Sequence, residues 1–155
     1  MGVRRIDLSA DKLERLLLWD EGIRSKLYYD ACGVPTIGVG RNLRSRGLDA
    51  DEIFVLFRRD IENAEDIAHK FANLYDYVVW DGIGEVRQAV LISMAFNLGN
   101  RLTRFKRLQA ALNKFDYDAA ADEMLRSKWA QQVKSRAHRL AEMMRSGSWP
   151  KRIAF

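Results

Sequence analysis

Between Arg87 and Arg101 the chain carries no charged residue. A helix that is apolar on every side has no face to offer water, so it must be enclosed by other elements. The segment 83-IGEVRQAVLISMAFNLGN-100 therefore predicts a buried central helix, which Gly99 stops. The longest apolar run inside it, 89-AVLISMAF-96, falls far short of the roughly 20 residues of a membrane span. At 155 residues the chain is long enough to wrap a real core around such a helix within one domain.

The flanking segments supply the wrapping. Residues 9-SADKLERLLLWDEG-22 read as a helix capped by Ser9 or Asp11 and ended by Gly22. The runs 26-KLYYD-30 and 35-PTIGVG-40 read as a hairpin, with Gly33 suited to a positive φ in its turn. A long helix follows over 48–74, with Ile53, Phe57, Ile61, Ala64, Ala68 and Phe71 on one face. Asp49 and Glu52 are spaced like a capping box at its start. The segment 75–82 is ambiguous. Shorter helices are expected near 104–113, 117–125, 128–132 and 136–145, the last three capped by Asp116, Ser127 and Ser135. The predicted class is α+β and predominantly helical. We expect a single domain over 1–155, with a small N-terminal lobe over about 12–60. A connecting helix leads to a larger helical lobe over about 72–155, which residues 1–11 join. A cleft between two such lobes suits an extended ligand.

Composition narrows the function. The single cysteine, Cys32, allows no internal disulfide, and it has no histidine nearby in sequence. His69 and His138 lack partners at ligand spacing, so neither a metal site nor a cofactor is expected. The N-terminus lacks the apolar stretch of a signal peptide, which leads us to expect synthesis in the cytoplasm without an anchor. The net charge is +5, yet from Arg104 to Phe155 there are 12 Lys/Arg against 5 Asp/Glu. A basic half points to a polyanion or simply to a solubilising surface.

The stretch 19-WDEGIRSKLYYDACGVPTIGVGRN-42 poses the functional question. Its glycines do not lie in the strand–turn–helix context of a phosphate loop. Glu21, at a helix end, and Asp30, at a hairpin turn, could instead face one substrate. Paired carboxylates are what glycoside hydrolysis needs, one as acid and one to manage water or the anomeric centre. Spacing alone leaves the plainer reading open, in which one residue ends a surface helix and the other makes a turn.

The wider pattern resembles the phage-type lysozymes, the endolysin muramidases of glycoside hydrolase family 24. The resemblance runs in order through 20-DEGIRSKLYYD-30, 36-TIGVG-40, 56-LFRRD-60, 94-MAFNLG-99, 127-SKWAQQVKSRAHR-139 and 145-RSGSW-149. It implies a lysozyme-like fold with its active site between the lobes. It also implies roles for particular residues. Glu21 would be the general acid, Asp30 the carboxylate that positions a water, and Thr36 the residue that helps hold that water. The family inverts, which asks for carboxyls roughly 6.5–9.5 Å apart. Arg136 matches an arginine that reaches the catalytic glutamate, and Arg139 one that pairs with Asp20. Asn42, Phe96 and Asn97 match positions near the substrate, although core packing for Phe96 and helix capping for Asn97 are equally good readings. Where well-studied members carry histidine this chain has Arg41, and we expect it to pair with Asp60.

The implied substrate is the β-1,4 bond from N-acetylmuramic acid to N-acetylglucosamine in peptidoglycan. The implied setting is phage lysis. A separate holin would open the inner membrane, and the enzyme would act in the periplasm as a monomer. The basic surplus would give electrostatic contact with the anionic envelope. A lytic transglycosylase would start from the same acid, but Asp30 and Thr36, which serve water, argue against it. A basic helical module that binds nucleic acid or membrane is a further alternative, suggested by 134-KSRAHRLAEMMRSGSWPKR-152. That segment has no recognised nucleic-acid motif. An inactive wall binder is disfavoured by the intact trio.

Overall fold

The computed structural model describes residues 12–73 and 78–151. The candidate caps Ser9 and Asp11 lie outside them. The elements in order are α1 (Lys12–Glu21), β1 (Arg24–Tyr29), β2 (Pro35–Gly38), β3 (Arg41–Asn42) and α2 (Ala50–Ala72). They are followed by α3 (Val78–Gly82), α4 (Glu85–Leu98), a 3-10 turn (Gly99–Arg104), α5 (Lys106–Leu112), α6 (Tyr117–Leu125), α7 (Lys128–Val133) and α8 (Ser135–Ser146). This is a lysozyme-like α+β fold dominated by helix. The chain divides into two compact units between Phe54 and Val55, within α2.

The first unit holds α1 and an antiparallel sheet in the order β1-β2-β3. Tyr28 pairs with Thr36 and Thr36 with Asn42, so these three residues share one row across the sheet. The register of β1 against β2 shifts between Arg24 and Tyr28. The third strand was not foreseen. It forms because Gly38 and Gly40 both take positive φ, +67° and +64°, and reverse the chain within two residues of the end of β2. The start of α2 is the expected capping box. Asp49 Oδ1 accepts from Glu52 N–H and Glu52 Oε2 accepts from Asp49 N–H, each at 2.9 Å.

The second unit contains the hydrophobic core. Val90, Leu91, Met94 and Ala95 of α4 are buried against residues such as Phe71, Leu102, Leu108, Leu112, Met124 and Met144. Burial is confined to that face, and Phe96 is 42% exposed, so α4 is less enclosed than its composition implies. Gly99 ends the helix at positive φ, donating its N–H to Ala95 O. The Asp116 and Ser127 side chains cap α6 and α7, accepting from Ala119 and Ala130 N–H. Ser135 does not cap α8. Lys134, at φ +49°, closes α7 through Ala130 O and leads straight into α8, leaving Ser135 inside the helix. At the far end of α8, the Arg87 guanidinium donates to the Met144 and Arg145 carbonyls and stacks 3.5 Å from the Tyr117 ring.

Candidate active site

Thr36 is the one buried residue of the first unit among those described, at 3% exposure. Around it the backbone holds two candidate residues together. Asp30 Oδ1 accepts from both Cys32 N–H and Val34 N–H at 2.8 Å. The Val34 carbonyl in turn accepts from Asp30 N–H at 3.0 Å and from Thr36 Oγ1 at 2.9 Å. One peptide segment, at Val34, thus orients the carboxylate of Asp30 on its N–H side and the hydroxyl of Thr36 on its carbonyl side. The geometry is chemically selective. The turn occupies Asp30 Oδ1, and among the described residues Oδ2 has no donor. The Thr36 proton points at Val34, so its lone pairs are available to accept from a water.

Glu21 closes α1, where Gly22 at φ +68° stops the helix. Its carboxylate lies directly over Gly40. A Cβ built on Gly40 would stand 2.5 Å from Glu21 Oε2 and 2.9 Å from Cδ. Gly40 is therefore required twice over, by its left-handed backbone and by the carboxylate that fills the place of its side chain. Asp30 sits in the turn before β2 and Glu21 meets the turn after it. The two carboxylates flank the strand that carries Thr36.

The other candidates are distributed more widely. Asn42 shares the row of Thr36, and its Oδ1 accepts from Ser45 N–H at 2.9 Å, which fixes the following turn and leaves the amide nitrogen open. Arg41 was expected to pair with Asp60. Within the first unit it forms an ion pair with Glu52, and its Nε donates to Gly47 O at 2.7 Å. The physical reason is local. The capping box turns Glu52 back toward the loop that follows Arg41. Asp20 is exposed near the end of α1.

In the second unit, Asp60 is exposed on α2. Phe96 packs edge-on to Phe57, with ring centroids 5.9 Å apart. Asn97 Oδ1 accepts from Trp129 Nε1 at 2.9 Å, a contact that spacing could not reveal because the partners lie 32 residues apart. Arg136 is half-buried and donates to Ser93 O and Ser93 Oγ. Arg139 is exposed on α8. Among the described residues no cluster of His, Cys, Asp and Glu is arranged to hold a metal ion. None of the described helices is long and apolar enough to cross a membrane.

Two carboxylates flanking a strand that carries a buried hydroxyl are groups able to exchange protons with a bound molecule and to orient a water. The phage lysozyme family model matches residues 19–143, and the chain belongs to that family. Similar curated proteins include the pre-baseplate central spike protein Gp5 of Enterobacteria phage T4, 25% identical over 162 residues that cover 88% of this chain. The chain spans only 28% of that protein's length. The probable T4-type lysozyme 1 of Dictyostelium discoideum is 23% identical over 90% of this chain and 96% of its own. The endolysin of Salmonella phage P22 is 28% identical over 77% of this chain and 82% of its own.

Proposed function

We propose that the protein is a lysozyme that hydrolyses the β-1,4 bond between N-acetylmuramic acid and N-acetylglucosamine in peptidoglycan, with inversion at the anomeric carbon. The observation that carries the reading is the Val34 segment, which orients Asp30 and Thr36 together while Glu21 lies across the same strand. In this mechanism Glu21 donates a proton to the glycosidic oxygen as the bond breaks. Asp30, through Oδ2, accepts a proton from water and directs that water to the anomeric carbon as positive charge develops there. Thr36 Oγ1 accepts the water's second hydrogen, and Val34 O fixes the hydroxyl that does so.

The remaining assignments follow from the family. Arg136 is proposed to approach Glu21, and Arg139 to pair with Asp20. Asn42, Phe96 and Asn97 are proposed to contact the glycan, with the side chain of Asn97 oriented by the bond from Trp129 to its Oδ1. The enzyme would reach the wall from the cytoplasm once a separate holin opens the inner membrane, and would work as a monomer without a cofactor. The test is the release of reducing ends from purified peptidoglycan by the parent protein and by Glu21→Gln and Asp30→Asn. The reading expects release from the parent and a loss of at least about a hundredfold in each variant. Equal release from all three would overturn it.

A further inference from the structure

The second unit contains a cavity of about 690 Å³ between the 3-10 turn, α5, the end of α6 and α7. Its size falls in the usual range of ligand sites. The floor is apolar, formed by buried Leu108 and Trp129 with half-buried Leu98 and Phe105. The rim is basic. Arg104, Lys106, Arg107 and Lys128 are exposed there, and among the described residues none of the four pairs with a carboxylate. Two further cations line the cavity. Arg126 is matched by Glu123 at 3.0 Å, and Arg101 donates to Leu98 O. Five of the twelve Lys/Arg between Arg104 and Phe155 thus line one concavity.

We infer that this cavity of the second unit binds a sugar carrying clustered phosphate monoesters. Four exposed cations without carboxylate partners around one cavity favour a ligand of high charge density. A phosphate monoester brings nearly two charges and three acceptor oxygens per group, where a carboxylate brings one charge. Arginine and lysine are both suited to phosphate, arginine through two parallel hydrogen bonds. The half-buried Leu98 and Phe105 leave a limited apolar surface against which a sugar ring can lie. Nucleic acid fits less well. Single-strand binding needs open aromatic faces for the bases, and Trp129 is 3% exposed, held by Asn97 and met edge-on by Phe105 at 6.5 Å. The cations also surround a pocket and do not trace a stripe. In a bacterium such a ligand is available as an envelope glycolipid headgroup or as a soluble sugar phosphate.

The experiment measures equilibrium binding of the full chain to three probes. They are myo-inositol hexakisphosphate, phosphatidylcholine vesicles carrying a bis-phosphorylated acylated glucosamine disaccharide, and duplex DNA. The parent is compared with Arg107→Gln/Lys128→Gln and with a control that loses the same charge elsewhere, Lys70→Gln/Lys114→Gln. All four positions are exposed, and thermal midpoints verify folding of each protein. The expected result is tight binding to the phosphorylated probes, weakened about tenfold or more in the cavity variant and less than about twofold in the control. Vesicle binding that hexakisphosphate competes away assigns the headgroup; binding of hexakisphosphate alone assigns a soluble ligand. Equal weakening in both variants, or cavity-dependent binding of DNA alone, overturns the proposal. The readout requires no hydrolysis, so it stands or falls independently of the lysozyme reading.

Discussion

At the residue scale, Gly40 is the position whose chemistry the structure defines most sharply. Any side chain there displaces Glu21, because a Cβ would stand 2.5 Å from its carboxylate oxygen. Gly40→Ala should lower kcat by one to two orders of magnitude, roughly the contribution of a positioned acid. It should also lose about 1 kcal/mol of stability from the left-handed backbone. Gly47→Ala provides the comparison, since Gly47 also has positive φ but nothing within 4 Å of its would-be Cβ. That variant should share the stability loss and keep kcat. Thr36→Val tests the water-holding role. It retains the β-branched shape of a residue 3% exposed but removes the Oγ1 bond to Val34 O. We expect kcat on soluble glycan to fall at least about tenfold while the thermal midpoint shifts by the equivalent of about 1 kcal/mol. A kcat within twofold of the parent would remove Thr36 from the mechanism.

At the element scale, what proved legible was local. The α6 and α7 caps, the hairpin turn and the capping box of α2 are each written within four or five residues, and each forms as read. The short β3 strand, the Lys134 junction and the Arg41 pairing were not legible. Each depends on how the chain reverses, through Gly38 and Gly40, through a strained Lys134, or through a loop that carries Arg41 to Glu52. The start of α2 concentrates two of these effects, because Glu52 serves the capping box with one oxygen and Arg41 with the other. Asp49→Ala should therefore cost about 1 kcal/mol, the usual value of a lost N-cap. A thermal or urea unfolding comparison measures it, and a cost near zero would mean that the Arg41 contact alone fixes this end of the helix.

At the scale of the whole molecule, the two units are built differently. The second has a continuous apolar core, in which Met94 of α4 is fully buried. Met94→Ala should destabilise by about 2–5 kcal/mol, read as a fall in the urea midpoint, because the helix around it leaves a cavity that cannot close. The charge-free run foretold that core, since no charge between Arg87 and Arg101 could demand solvent. The candidate site was legible in a different way. Spacing could not decide whether Glu21 and Asp30 are catalytic, because their juxtaposition depends on the sheet between them, and only the ordered family motifs pointed to the pair. The connection through Val34 and the fit of Glu21 over Gly40 became visible only in three dimensions. Delivery of water to a glycosidic bond by this site is read out by hydrolysis of peptidoglycan in ¹⁸O-labelled water. The expected products are soluble muropeptides with one ¹⁸O at the new reducing carbon, released initially as the α-anomer, and none from Glu21→Gln. Unlabelled anhydro products, or labelled release that persists in Glu21→Gln, would contradict it.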